Sequence, residues 1–352
     1  MTMLAESVDL VVGVDTHKHT NTAAVVRAAT GGVLDQITVP TTRKGHQALL
    51  ELARSHGEFR AWAIEGTSSY GAGLTRFLRT HGERVVELER PTRSDRRGGK
   101  KSDPLDAVRS AREALARPEL GDPRSTGERT MLSVLLAARR SALEAATAAE
   151  HQIGAILVAA PEALREKFRP MTTTKVVIAA ARMRVNPNCD AETRTTARVL
   201  RTLARRVQEL RAEANAHERE LTAIVRQWHP ELLKETGVGP IVAATVLCAW
   251  SHSGRFRSEA AFASLAGVAP VPASSGLTVR HRLNRRGDRQ LNRALHTVVL
   301  CRVRYDEQTR TYFERRRAEG KTDREIKRCL KRYVARQLFR QLEERQRTLD
   351  TP

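Results

Sequence analysis

The chain changes its hydrophobic period several times. Asp9 to Val14, Thr22 to Arg27 and Val33 to Val39 are short apolar runs separated by polar residues and by Gly31-Gly32, a pattern that predicts three strands with tight connections. Lys44 to His56 then carries Leu49, Leu50 and Leu52 on an amphipathic helical pattern. Arg60 to Ile64 reads as a strand, Gly73 to His81 as a helix and Arg84 to Leu88 as a strand. A basic, glycine-containing loop, RPTRSDRRGGKK, leads to a helix predicted from Pro104 to about Arg117. The predicted order is β-β-β-α-β-α-β-α.

Long helices follow. Leu200, Leu203, Val207, Leu210, Ala214, His217, Leu221, Ile224 and Trp228 alternate spacings of three and four. This is a heptad seam, and it predicts a coiled coil or a long helical hairpin. A weaker, alanine-rich seam runs from Leu132 to Ile156. Two helices packing within one chain and a dimerisation arm both satisfy the pattern. His217 reads as a packing or register residue. From residue 235 the stretch LLKETGVGPIVAATVL resembles a helix–hairpin–helix element, in which Gly237 and Gly239 let backbone N–H groups face a phosphate. That signal is weak alone. The predicted division is 1–120 for the α/β domain, 121–234 for the helical linker and 235–352 for a basic, mainly helical domain.

Charge changes the picture of the partner. The formal net charge is +21 and the sequence pI about 10.9, which points to a polyanion. Between Arg280 and Arg340 there are 20 Lys and Arg against 7 Asp and Glu, interleaved with apolar residues such as Leu291, Leu295, Leu330 and Leu338. A folded basic region follows from that mixture, with nucleic acid as the first candidate partner and an anionic membrane as the second. No apolar stretch is long enough to cross a bilayer and no signal peptide is evident, so a cytosolic protein is expected. The cysteines Cys189, Cys248, Cys301 and Cys329 lack metal-ligand spacing and read as reduced core thiols.

Candidate chemistry sits at both ends. Asp15 and Glu65 each close an apolar run, and Asp103 and Asp106 lie three apart at a helix start, on one side of it. Clustered carboxylates repel unless a cation neutralises them, and hard oxygen ligands suit Mg2+. Asp103 before Pro104 also satisfies a plain helix-start pattern. The predicted element order is that of the ribonuclease H and RuvC-like nuclease fold, whose first and fourth strands are neighbours, which would set Asp15 beside Glu65. Near the other end, Ala273-Ser274-Ser275-Gly276 precedes Arg280, Arg282, Arg285 and Arg286. A serine attacks a phosphodiester only with help from a base, a cation or a stabilised transition state. On spacing alone this is a flexible turn before a nucleic-acid-binding helix.

Taken together, VVGVDTHKHT, AIEGTSSYGAGLTRFLRTHG, ERPTRSDRRGGKKSDPLDAVRSA, the GVGP turn, FASLAGVAPVPASSG, RHRLNRRGDRQLNRAL and RTYFERRRAEGKTDREIKRCLKRYVARQLF resemble the DEDD transposases of insertion sequences of family 110, relatives of the Piv and MooV DNA invertases. The resemblance implies a RuvC-like domain binding Mg2+ through Asp15, Glu65, Asp103 and Asp106. It implies a serine nucleophile at Ser275, a 5′-phosphoserine intermediate, and an active site shared between domains of a dimer or tetramer. It further implies donor and target DNA and a structured guide (bridge) RNA as partners, in the bacterial cytosol with the nucleoid. Gly237, Gly239, Arg280, Arg282, Arg285, Arg286, Arg289, Arg315, Arg316 and Arg317 are the expected nucleic-acid contacts. Leu277 and Arg286 depart from the family pattern, which bears on loop shape. The other classes compatible with the residues are a RuvC-like endonuclease that uses water, such as a junction resolvase, and a non-enzymatic nucleic-acid scaffold.

Overall fold

Alternation of side chains across one strand organises the first part of the chain. In β1 (Leu10–Thr16), Leu10, Val12 and Val14 face one side of the sheet, while Val11, Gly13 and Asp15 face the other. Both faces are covered, which is why the run reads as nearly continuously apolar. The computed structural model describes residues 3–88, 103–118, 120–272, 281–282, 284 and 287–350. It separates into two units, Met1–Ser125 and Thr126–Pro352.

In the first unit a one-turn helix, α1 (Leu4–Ser7), precedes β1, and β2 (Thr20–Arg27) and β3 (Val33–Pro40) follow as an antiparallel meander. Then come α2 (Arg43–His56), β4 (Arg60–Glu65), α3 (Ala72–Thr80), β5 (Arg84–Leu88) and α4 (Asp103–Ala116). The strand order is β3-β2-β1-β4-β5, with β4 parallel to both β1 and β5. The predicted element series is present, and the first and fourth strands are neighbours. Thr42 caps α2 by accepting from the Gly45 N–H, and Leu49 and Leu50 pack under Val12, Trp62 and Ile64. On the opposite face α4 lays Ala107, Val108, Ala111 and Ala114 against Val11, Ala61 and Ala63.

A buried carboxylate fixes the far end of β4. Glu83, whose side chain is 5% exposed, accepts hydrogen bonds from Arg60 Nε at 2.8 Å and Trp62 Nε1 at 2.9 Å. Arg54 of α2 lies 3.9 Å away.

The second unit is helical. The hairpin consists of α5 (Glu128–Ala159) and α8 (Ala191–Trp228), and α6 (Glu162–Phe168) and α7 (Thr173–Ala181) cover its tip. The heptad residues Leu200, Val207, Ala214 and Leu221 are buried, with Ala146, Ala149 and Ile153 of α5 facing the outer half. Arg139 pairs with Glu218 at 2.9 Å, and Arg211 with Glu150, so the two helices run antiparallel. This covers the seam within one chain. Leu203 and Leu210 lie at its half-buried margin, and His217 sits there 3.5 Å from Glu213. The tip helices α6 and α7 were not separable in the sequence pattern.

A 3-10 turn (Pro230–Lys234) leads to α9 (Pro240–Trp250), α10 (Glu259–Leu265), α11 (Arg289–Tyr305), α12 (Glu307–Ala318) and α13 (Asp323–Asp350). Their core holds Trp250, Phe262, Leu295 and Phe339 together with Leu132 and Leu221 from the base of the hairpin. The four cysteines are half-buried rather than interior, and none forms a disulfide. Among the described residues no helix is long and apolar enough to cross a membrane.

Burial alone would raise the Glu83 carboxyl. The hydrogen bonds from Arg60 and Trp62 and the charges of Arg60 and Arg54 outweigh it, so the group lies below the usual carboxylate range. Its stabilising contribution is therefore present above the unfolded carboxylate's pKa and is lost as pH falls through the depressed value. Urea denaturation across the acid range should show that loss in the wild-type protein and a shallower one in Glu83→Gln. Glu83→Ala should cost about 3–5 kcal/mol by leaving Arg60 buried without its partner. An unchanged acid slope in Glu83→Gln would remove Glu83 from this role.

Candidate metal centre and nucleic-acid interface

Side-chain parity puts Asp15 and Glu65 on one face of the sheet, while the close group of ligand atoms holds Asp15, His17 and Asp103 without Glu65 or Asp106. Asp15 lies on the α4 face of β1, two residues beyond Gly13. The parallel register pairs Val14 with Ile64, and one residue further sets Glu65 beside Asp15 on the same face as Ala61 and Ala63. Thr16 Oγ1 donates to the Glu65 carbonyl at 3.2 Å and ties the two strand ends together. Glu65 then meets Gly66 at φ +68°, where only glycine turns the chain without strain.

The second pair arrives on α4, which begins at Asp103 with Pro104 next and carries Asp103 and Asp106 in its first turn. The helix can approach because Gly13 has no side chain. A Cβ there would stand 2.1 Å from the Ala107 carbonyl oxygen and 2.5 Å from the Ala111 nitrogen. The two nearest contacts are with backbone and the third is the Ala111 Cβ at 2.9 Å, so no rotamer change relieves them.

His17, which the sequence reading passed over, joins the group. Its Nε2 lies 3.2 Å from Asp15 Oδ2 and 3.5 Å from Asp103 Oδ1. Ligand atoms of Asp15, His17 and Asp103 lie within 4.8 Å of one another. Strand parity was the available signal, since a residue two beyond Asp15 shares its face. Asp106 pairs with Arg109 at 3.3 Å. Burial, then the charges of Asp103 and Asp106, push the Asp15 carboxyl above its usual range, while His17 opposes them by its charge and a hydrogen bond. A cation would relieve this repulsion, and the carboxylate oxygens of Asp15 and Asp103 fit a hard divalent metal ion.

Ser274 and Ser275 lie outside the described residues, as do Arg280, Arg285 and Arg286. Two short strands, β6 (Val271–Pro272) and β7 (His281–Arg282), pair on either side of that segment. A Cβ on Gly287 would stand 2.3 Å from the Gly267 nitrogen. Asn292 Nδ2 donates to the Ala266 carbonyl at 2.7 Å, and Asp288 caps α11 by accepting from the Gln290 and Leu291 N–H groups. Val271–Pro272 and His281–Arg282 are thus paired within the second unit.

Gly237, at φ +84°, lets the turn before α9 pack on α11, where a Cβ would come within 3.0 Å of Val298 O and Cys301 Cβ. Gly239 is the N-cap residue of α9, with open space around it. Arg289 is exposed in the first turn of α11. Arg315 and Arg316 lie over the Tyr312 ring at 5.4 and 6.0 Å, and Arg317 bonds to both Asp323 oxygens at 2.8 and 3.0 Å. These arginines are thus partly engaged within the chain.

Fold and donor set define a candidate metal-binding α/β unit followed by a strongly basic helical unit. Residues 12–160 match a DEDD-type transposase family of the IS110 class, and residues 230–314 match the family described as "Transposase IS116/IS110/IS902 family". The two matches cover about two thirds of the chain, which belongs to this family of insertion-sequence transposases. Over 127 residues, 35% of the chain, it is 33% identical to "Insertion element IS110 uncharacterized 43.6 kDa protein" of Streptomyces coelicolor. Over 99 residues, 27% of the chain, it is 39% identical to "Insertion element IS900 uncharacterized 42 kDa protein" of Mycobacterium paratuberculosis. The matched stretches span 31% and 25% of those two relatives.

Gly13→Ala should destabilise the first unit by about 1–3 kcal/mol, the range for forcing extra atoms into a packed site. Ala107→Gly or Ala111→Gly should not rescue it, because the obstruction is backbone. Rescue by either, measured as recovery of the thermal midpoint, would show that side chains set the approach of α4.

Proposed function

We propose that this chain is a DNA transposase that cuts and exchanges strands, with a RuvC/ribonuclease H-like domain over residues 1–120, a helical linker over 121–234 and a basic helical transposase domain over 235–352. The observation that supports it best is the meeting of Asp15, His17 and Asp103 at the end of β1, beside the strand that carries Glu65. Asp15, Glu65, Asp103 and Asp106 would hold Mg2+. When bound, the ion supplies charge neutralisation at the phosphate and lowers the pKa of a coordinated hydroxyl or water. His17, donating toward Asp15 and lying 3.5 Å from Asp103, would orient those carboxylates as an outer-shell partner does.

Ser275 is the proposed nucleophile. Its Oγ forms a bond to phosphorus as the bond from phosphorus to the 3′ oxygen breaks. The serine proton is lost to a base and the leaving 3′ oxygen takes one up, giving a 5′-phosphoserine and a free 3′-hydroxyl. Attack by the 3′-hydroxyl of another strand reverses the chemistry and releases the serine. Arg280, Arg282, Arg285, Arg286 and Arg289 would offset charge on the phosphorane and backbone. Gly237, Gly239 and Arg315 to Arg317 would add phosphate contacts. Donor and target DNA, a structured guide RNA and a second protomer complete the proposal, which places the protein with the nucleoid. The alternative, a metal-dependent endonuclease using water, shares the carboxylates and dispenses with the serine.

Trapping on labelled DNA separates the two. Wild type should form a covalent adduct that mass spectrometry maps to Ser275. Ser275→Ala should bind nucleic acid, form no adduct and exchange no strands, while Ser274→Ala should be far milder. Alanine at Asp15, Glu65, Asp103 or Asp106 should abolish cleavage and leave binding largely intact, because the basic surface supplies affinity. Cleavage by wild type with no adduct at any time selects the water-using nuclease.

A further inference from the structure

The second unit holds a cavity of about 340 Å³ where the junction of α11 and α12 meets α13 and the turn at Thr236. Tyr312, Tyr333 and Leu330 form its apolar wall, and Gln308, Gln337 and Glu235 bring polar groups to its edge. The two tyrosine rings meet edge to face at 5.7 Å and 88°. A second cavity, about 400 Å³, shares Tyr333, Gln337 and Glu235 and is lined by Arg336 and Arg340. Tyr333 borders both cavities and is 50% exposed.

The polar floor is organised in advance. Arg302 donates to Glu235 at 3.0 Å, to the Thr236 carbonyl at 2.9 Å and to Gln337 at 2.7 Å, and Gln337 donates to Glu235 at 2.7 Å. Glu235 thus offsets the Arg302 charge at the edge of both cavities. Arg336 and Arg340 line the second cavity together with Glu235 and Glu344, and beside it Arg332, Arg336 and Arg340 share Glu259, one carboxylate among three guanidinium groups. Together with Arg324 and Arg328 they recur at every fourth position of α13, about 6 Å of rise per step. The Tyr312 hydroxyl is pushed up to about 12 by burial and by Cys329 and Tyr333, so it stays a neutral phenol.

The first volume lies at the small end of ligand pockets, a size suited to one planar heterocycle. An aromatic face, amide edges and the exposed guanidinium groups of Arg336 and Arg340 match the three parts of a nucleotide: a ring that stacks, an edge that hydrogen-bonds and a phosphate. We propose that this double cavity binds one unpaired nucleotide of a single-stranded nucleic acid, with its base stacked on Tyr333, which Tyr312 braces edge to face, and its phosphate on Arg336 and Arg340. This rests on the nucleic-acid partner proposed above and specifies an unpaired, stacked state for part of it.

The test uses the full chain and short single-stranded oligonucleotides carrying a central 2-aminopurine, as RNA and as DNA, beside the same sequence in duplex form. Wild type should bind the single strands and quench the 2-aminopurine. Tyr333→Ala should weaken single-strand binding about 5- to 150-fold and abolish the quenching, the range for loss of one stacked base. Tyr333→Phe should keep both, and duplex binding should be the same in all three proteins. The stronger of the RNA and DNA responses identifies the source of the nucleotide. Single-strand affinity and quenching unchanged in Tyr333→Ala, with binding otherwise intact, would overturn the cavity assignment and leave the transposase reading standing. An equal loss of duplex affinity would also overturn it. Failure of wild type to bind any of the probes would overturn both.

Discussion

The approach of α4 to β1 over Gly13 is the constraint on which the acidic end depends. A helix carrying the small residues Ala107 and Ala111 can rest its backbone on a strand only where the strand has no side chain. That seating is apolar and close-packed, and it is indifferent to charge. Its consequence is electrostatic, because the first turn of α4 is delivered to the end of β1 and brings Asp103 against His17 and Asp15. Burial and carboxylate crowding then hold Asp15 above its ordinary range. Folding thus forces together charges that repel, and packing elsewhere in the unit pays for it. A divalent cation would convert that cost into a binding site.

The two units handle charge in opposite ways. In the first, like charges converge on one strand end. In the second, an excess of cations is spread along helices and held by a few carboxylates and rings: Glu235 with Arg302, Glu259 with three arginines of α13, Asp323 with Arg317, and Tyr312 with Arg315 and Arg316. Such partners fix guanidinium groups in place without cancelling the net charge. Pre-positioned cations lose less side-chain freedom on meeting a polyanion than free ones.

Much of the first unit was legible because strand and helix periods differ and its turns carry Gly or Thr signals. The series from β1 to α4 followed from those alone. Strand β1 ran longer than its apolar residues suggested, since Asp15 and Thr16 continue the ladder opposite Thr22 and Asn21. That extension also brings His17 toward the carboxylates, a contact no apolar pattern encodes. In the second unit the seam from Leu200 to Trp228 was plain, but its partner was not. The alanines of α5 offer small side chains to a close-packed interface, and a heptad alone does not say whether it closes within a chain or between chains. The role of Gly287 was invisible for another reason: its neighbour Gly267 is twenty residues away, and only the fold makes them touch.

The central claim is that the end of β1 and the first turn of α4 together form a divalent-cation centre. Anomalous scattering from crystals soaked in manganese tests it most directly, with Mn2+ standing for Mg2+ as another hard, oxygen-preferring ion. The account predicts a peak bridging Asp15 and Asp103, about 2.1 Å from their nearest carboxylate oxygens, and no such peak in Asp15→Asn. A wild-type crystal with manganese bound elsewhere and none at these carboxylates would contradict it.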